Sequence, residues 1–378
     1  MKIVYVLPTL AWKGGAERII SEKANYLAEH YGYEVTIVTI LQSDTQPNVY
    51  PLSNQVNQMN LHIPNYQQFK YSYPKRFFVQ LKLRNQLIND LTRTVQQIDP
   101  DILIGVSYYY ANHVCSINCR AKKIIECHDG RQSVISDFIP NNSFLTPLMV
   151  RIHKFLYFKE IEKKADTIVT LSSEAKDLWK HVRHVIVIPN FCNMNISYQS
   201  DCKNKRIISV GRIDKEKGVD RLIDIWKIVV LKHPDWQLDI FGEGFMKQNL
   251  MEIVVRNGIN HISFKSHTDN ISQEYASSSI CVVTSYFEGF SLALVEAMKH
   301  GVPCVAFDCP YGPRHIIENN RSGFLVEDGN IELYAQKVCL LIENEELRKQ
   351  FSLAGIQRSK LFDITPVMKQ WKELFEAG

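Results

Sequence analysis

Short β-branched and aliphatic runs alternate along this chain with longer amphipathic stretches, and no other feature restricts its fold so tightly. Apolar runs of about five residues mark strands buried on both faces, as a parallel sheet between helical layers requires. In the first half such runs predict strands at Lys2–Leu7, Glu34–Ile40, Asp101–Val106, Lys123–Cys127, Thr167–Leu171 and His184–Ile188. Helical periodicity predicts Glu17–His30, Pro74–Ile98, Pro147–Lys164 and Ser173–His181 between them. After a polar, aperiodic stretch at Pro189–Asn204 the alternation restarts. Strands are expected at Arg206–Val210, Gln237–Phe241, Ile262–Lys265, Ile280–Thr284, Cys304–Phe307 and Gly323–Val326. The matching helices are Gly218–His233, Phe245–Asn257, Ser272–Ser277, Ser291–His300, Pro313–Asn319, Ile331–Asn344 and Glu346–Lys360, and a capped helix at Thr365–Glu376 ends the chain. With 378 residues, two α/β domains of ordinary size are expected, meeting near residues 189–190.

Composition narrows the setting. No apolar run approaches the roughly 20 residues that cross a bilayer. Met1–Leu10 reads as a first strand rather than a signal peptide, so a cytoplasmic protein, or one on the cytoplasmic face of a membrane, is expected. The nine cysteines have no repeating spacing; only Cys115/Cys119 and Cys304/Cys309 are close. They read as reduced thiols, and no metal site is expected. The net charge of +4 says little by itself. Between Leu61 and Val95, however, Lys70, Lys75, Arg76, Lys82, Arg84 and Arg93 face a lone acid, Asp90, among Tyr66, Phe69, Tyr71, Tyr73, Phe77 and Phe78. That patch suits an anionic membrane surface or a phosphate-bearing acceptor, and equally a solvated helix with an aromatic core face.

In an open parallel sheet, ligands sit beyond the carboxyl ends of the strands. Four loops there carry chemistry. The first, PTLAWKGGAER, places Gly14 and Gly15 between a strand and a helix, where bare backbone approaches a phosphate or merely turns tightly. It is not the dinucleotide fingerprint. The second, Glu126-Cys127-His128-Asp129-Gly130, offers a strand-end histidine as a ligand contact or a structural residue. The third runs from Val210 and Gly211 through Arg212, Asp214 and Lys217 to Gly218; a guanidinium fork and a mobile ammonium both suit a diphosphate. In the fourth, SYFEGFSLALVEAM, Ser291 is expected to cap a helix whose first amides face an anion, flanked by Glu288 and Glu296. Glu296 lies among Leu292, Leu294, Val295, Ala297 and Met298, so burying it calls for a partner such as a ribose diol; otherwise the helix exposes it.

The two glutamates seven residues apart in FEGFSLALVEAMKHGVPCVAFD, with KGGAER, ECHDG, VIPNF, SVGRIDKEKG, FGEG and PYGPRHIIENNRSGFLV in order, make the chain resemble glycosyltransferase family 4 over nearly its whole length. The resemblance implies the GT-B fold, two Rossmann-like parallel-sheet domains facing a cleft. Residues 1–189 would take the acceptor, joined by a last helix at 364–378, and residues 190–363 would take the donor. It implies that Arg212 and Lys217 hold the donor diphosphate, Glu288 contacts the transferred sugar and Glu296 the ribose. Gly289, Phe290, Ser291 and Leu292 would offer amides to phosphate and sugar. His128 would lie near the sugar's primary hydroxyl, Gly15 under the distal phosphate with Gly14 beside it, and Gly211, Gly242 and Glu243 on the nucleotide side.

Such enzymes retain anomeric configuration and need no metal or other cofactor. The expected reaction moves a hexose or N-acetylhexosamine from a nucleotide diphosphate sugar, expected to be UDP-linked, to a glycan or lipid-linked glycan in surface polysaccharide biosynthesis. FDCPYGPRHII resembles members that add galactose-type or N-acetylhexosamine sugars, whereas Ser43–Tyr73 resembles nothing recognisable. Arg212, Lys217 and the helix start near Ser291 would stabilise the leaving diphosphate in a front-face displacement. The alternatives are another GT-B enzyme, an epimerase or a phosphorylase, and a non-catalytic membrane-associated binding protein. No nucleic-acid partner is expected.

Overall fold

The computed structural model describes residues 1–72, 75–106, 108–128, 146–179 and 181–377, with backbone alone at 108, 109 and 146–154. It divides into two compact units, Met1–Ile188 with Met368–Gly378, and Pro189–Val367.

In the first unit the strands are β1 (Lys2–Leu7), β2 (Glu34–Thr39), β3 (Val56–Asn60), β4 (Ile102–Val106), β5 (Lys122–Cys127), β6 (Thr167–Thr170) and β7 (Val185–Val187). They form one parallel sheet in the order β3-β2-β1-β4-β5-β6-β7. Helices α1 (Gly15–Tyr31), α2 (Lys75–Ile98), α3 (Tyr108–Ser116), α4 (Thr146–Lys164) and α5 (Ser173–Lys176) connect them. Val4, Val6, Val38, Leu103 and Ile125 of the sheet pack with Leu87 and Leu91 of α2 and Ile161 of α4 in one buried cluster. Burying each such side chain contributes about 1.5–3 kcal/mol.

The second unit repeats the plan with β8 (Arg206–Val210), β9 (Gln237–Phe241), β10 (Ile262–Lys265), β11 (Ile280–Val283), β12 (Cys304–Phe307) and β13 (Gly323–Val326), ordered β10-β9-β8-β11-β12-β13. Its helices are α6 (Val219–Lys232), α7 (Lys247–Arg256), α8 (Ile271–Ala276), α9 (Leu292–Lys299), α10 (Pro313–Ile316), α11 (Ile331–Glu343) and α12 (Glu345–Ser359). One cluster gathers Trp226, Val229, Tyr334 and Leu341 of α6 and α11. Another gathers Leu294, Val295 and Met298 of α9 with Ile316. Helix α13 (Ile364–Glu376) then carries the chain back to the first unit, where Lys122 donates to the carbonyls of Leu374 and Ala377.

Three elements depart from the periodicity. Strand β3 was not expected: its sequence, VNQMN, has no apolar alternation, because it adds to the sheet through its parallel pairing with β2. Helix α3 lies where three tyrosines gave no helical signal. Helix α5 stops at Lys176 rather than reaching His181.

Candidate active site

Where the strand order of an open sheet reverses, neighbouring loops leave towards opposite faces and a crevice opens between them. The reversals fall between β1 and β4 in one unit and between β8 and β11 in the other. The loops after β1, β8 and β11 are three of those the sequence singles out.

After β1 the chain hangs on Gln42, whose Oε1 accepts from Thr9 Oγ1 at 3.1 Å and from the Leu10 amide at 2.7 Å. The Gln42 amide donates onward to Asn48, and Asn48 to Gln58 of β3. Gly14 occupies the N-cap position of α1 and Gly15 is its first residue. The Gly14 backbone is extended, at φ −123°, so its dihedral does not demand glycine; a Cβ there would press on the flexible Glu17 carboxylate.

At the end of β5, His128 is buried with Nε2 3.0 Å from Glu126 Oε1. Glu126 is buried too and pairs with Lys23 of α1. Burial alone would raise the Glu126 carboxyl, but the Lys23 ammonium, and His128 after it, hold it down to about 2. Burial draws Lys23 below its ordinary value while the carboxylate pulls it back up. The ionised pair is the form in which both charges are compensated. Asp129 and Gly130 lie outside the described residues.

The loop after β8 makes a single turn at Lys215–Lys217, capped by Asp214, which accepts from the Lys217 amide at 3.2 Å. Gly218 then takes φ 62°, and a Cβ there would strike the carbonyl of Thr284. Gly242, at φ 152°, is pressed in the same way against the carbonyl of Gly211. Glycine at both positions lets the turns after β8, β9 and β11 close on one another.

That closure places Lys217 Nζ 2.8 Å from Glu288 Oε1, an oxygen that also accepts from Ser285 Oγ at 2.7 Å. The Glu288 side chain is 6% exposed and that of Lys217 26%. Arg212 is largely exposed, 3.1 Å from Asp214 and 3.2 Å from Glu216. Gly211, Arg212, Lys217, Thr284, Ser285 and Glu288 line one small pocket. A group expected on the diphosphate and one expected on the sugar are therefore paired with each other.

Ser291 stands at the N-cap of α9, yet its side chain makes no capping bond, contrary to expectation. Leu292 is the first residue of that helix, Gly289 lies in the approach to it, and Phe290 packs on Phe362 with ring centroids 5.5 Å apart. Glu296 is buried, so the exposed alternative is excluded, and it has a protein partner that the sequence did not reveal: Tyr275 Oη donates to it at 3.2 Å. Glu243 beside Gly242 is mostly exposed and 2.9 Å from Lys247. Sequence reasoning also missed Arg221 of α6. Its buried guanidinium donates to the carbonyls of Thr284 and Ser285 and to Asp328, between the rings of Tyr286 and Phe307. It fixes the backbone that presents Glu288. The available signal was a four-residue spacing, Arg221-Ile225-Val229, on a buried face.

Residues 13–195 match the family model described as Glycosyltransferase Family 4, and residues 194–358 match glycosyl transferases group 1. This chain belongs to glycosyltransferase family 4. The glycosyltransferase is 29% identical over 382 residues to an uncharacterized glycosyltransferase of Haemophilus influenzae, covering 98% of this chain and 99% of that one. It is 24% identical to the Campylobacter jejuni enzyme named GalNAc-alpha-(1->4)-GalNAc-alpha-(1->3)-diNAcBac-PP-undecaprenol alpha-1,4-N-acetyl-D-galactosaminyltransferase, covering 99% and 98%. A crystal structure of a Staphylococcus aureus TarM mutant with Fondaparinux, alpha-GlcNAc-glycerol and UDP superposes with a TM-score of 0.78 at 16% identity, covering 100% of both chains. The glycosyltransferase has the GT-B fold, with two Rossmann-like parallel sheets. Among its described residues no helix is long and apolar enough to cross a membrane.

Proposed function

We propose that this glycosyltransferase moves a hexose or N-acetylhexosamine from a UDP-sugar to a glycan or lipid-linked glycan of a surface polysaccharide, retaining the anomeric configuration and using no metal. The single observation that carries the reading is the pocket in which Lys217, Arg212 and Glu288 meet beneath the loop leading to α9. A diphosphate there draws Lys217 from Glu288 and adds the Arg212 fork and the helix amides, so charge on the leaving group is met by fixed positive elements. Glu288, released from the ammonium but still held by Ser285, is then an acceptor for a sugar hydroxyl. Glu296, oriented by Tyr275, takes the ribose diol. In the front-face displacement the C1–O bond to the diphosphate breaks, the acceptor oxygen bonds to C1 on the same side, and a departing phosphate oxygen takes the acceptor's proton. UDP in the TarM complex and the N-acetylgalactosaminyl transfer named for the Campylobacter jejuni relative support the donor class.

UDP release and product anomer, measured in buffer with a chelator, test the reading. Arg212→Ala and Lys217→Ala are each expected to lower kcat by about 10²–10³-fold. Near-normal turnover in either variant, a requirement for divalent metal, or an inverted product would refute it.

An anionic membrane surface is the second part of the proposal. Tyr66, Phe69, Phe77, Phe78 and Leu81 are exposed large apolar side chains on a short stretch of the first unit. Lys70, Lys75, Lys82 and Arg84 stand exposed among them, and Arg76 lies 4.6 Å over the Phe69 ring. Aromatic rings that enter the headgroup layer beside cations make an interfacial anchor. Sedimentation with phosphatidylglycerol vesicles at low salt should pellet the protein, and Phe77→Ser/Phe78→Ser should release it. A protein left in the supernatant at low salt ends this part.

A further inference from the structure

The first unit buries a lysine that the reaction as proposed does not use. Lys23 lies on α1 with Ile19 and Leu27 at four-residue spacing, and it is 0% exposed. Its ammonium meets three elements: Glu126 of β5, the Trp371 ring of α13 at 3.8 Å and the Tyr5 ring of β1 at 5.4 Å. Glu126 presents the same oxygen, Oε1, to Lys23 and to His128 Nε2. His128 Nε2 lies 3.0 Å from that oxygen without completing a hydrogen bond, so both ring nitrogens are buried with no hydrogen-bond partner among the described residues. Ligand-free sites hold such contacts loosely and tighten them on binding.

Elementary chemistry fixes which nitrogen carries the proton. An ionised carboxylate only accepts, so the nitrogen facing Glu126 is the N–H. Lys23 already supplies one positive charge for the one negative charge of the carboxylate, so a neutral ring can meet Glu126 through its N–H alone. Nδ1 is left as a bare acceptor.

We propose that Lys23 and Glu126 are positioning residues that hold His128 as the neutral Nε2–H tautomer, with Trp371 keeping Lys23 in place, so that Nδ1 accepts a hydrogen bond from a hydroxyl of the transferred sugar. The identity of that hydroxyl rests on the donor reading above; the tautomer does not. Without the ammonium, His128 is the one remaining source of compensating charge for the buried carboxylate among the described residues. Lys23→Met therefore makes the ring an imidazolium and turns Nδ1 from acceptor to donor. In Lys23→Met/Glu126→Gln both charges are gone, and the amide oxygen at position 126 accepts the Nε2–H of a neutral ring.

Long-range nitrogen–proton spectra of the full chain labelled at histidine, with His128→Gln to assign the signal, read the tautomer directly in the wild-type protein. The expected result is a protonated Nε2 and an unprotonated Nδ1; a protonated Nδ1, in either the other tautomer or an imidazolium, overturns the proposal. Lys23→Met should give an imidazolium and about a hundredfold lower kcat, and the double variant should restore the neutral ring and at least about tenfold of that loss. UDP affinity should stay within about twofold in both, since the residues expected on the nucleotide, Gly14 and Gly15 apart, belong to the other unit. Recovery of folding without recovery of kcat in the double variant reduces Lys23 and Glu126 to a structural pair and overturns the positioning role. A wild-type protein with the expected tautomer that transfers no sugar sinks the donor reading and leaves the tautomer standing.

Discussion

Lys217→Ala separates what the Lys217–Glu288 pair does for folding from what the ammonium does for catalysis. In the native protein Glu288 is almost fully buried and accepts from both Lys217 and Ser285. Truncating the lysine leaves a buried carboxylate with one hydroxyl partner. Breaking a fully buried pair costs about 3–5 kcal/mol. Lys217 is 26% exposed and Ser285 remains, so water screens part of the loss and about 2–3 kcal/mol is expected. For a domain of this size that lowers the thermal midpoint of the second unit by about 4–12 °C. Lys217→Ala/Glu288→Gln removes the stranded charge and should recover most of the stability while turnover stays down by about 10²-fold or more. Calorimetry on the wild type and the two variants, paired with UDP release under saturating donor, reads both quantities. A single variant as stable as the wild type, or a double variant no better than the single, would refute the electrostatic account; a double variant that regains normal turnover would refute the diphosphate role.

Three other outcomes follow from the geometry. Tyr275→Phe deletes the hydroxyl that orients Glu296 and should weaken UDP binding by about fivefold, roughly 1 kcal/mol, in a calorimetric titration; unchanged affinity would remove Tyr275 from the site. Arg221→Met frees the Thr284 and Ser285 carbonyls and leaves Asp328 unpaired, so the second unit should lose about 2–4 kcal/mol in urea, and a loss below about 1 kcal/mol would contradict the bracing role. Glu126 has a folded-state value of about 2 against an ordinary 4.5, so its stabilising effect is complete above the higher value and is lost as pH falls towards the lower. The stability gap between wild type and Glu126→Gln should narrow from pH 5 to pH 3, by about 1–2 kcal/mol; a gap that stays constant would show that the carboxyl is not held low.

Much of the architecture was legible because parallel strands are buried on both faces and must be written as apolar runs. Lys2–Leu7, Gln237–Phe241 and Gly323–Val326 stand where those runs placed them. Strand β3 was not legible: its place comes from backbone pairing with β2, and its polar Gln58 and Asn60 join a side-chain network with Asn48 and Thr39. The loops that gather Gly211, Arg212, Lys217 and Glu288 were legible, since glycine beside charge at a strand end is a local signature. Their pairing was not.

The local chemistry of the sequence by itself determined two parallel α/β sheets in series and the loops at which reactive side chains would collect. Tertiary structure alone decided that Lys217 neutralises Glu288, that Glu296 leans on Tyr275, and that Lys23 and Arg221 turn inward. The reason is physical. A lysine or arginine in an amphipathic helix reads as solvated until the fold brings a carboxylate or a carbonyl from a distant strand to meet it, and then its charge stays inside because leaving that partner bare would cost more.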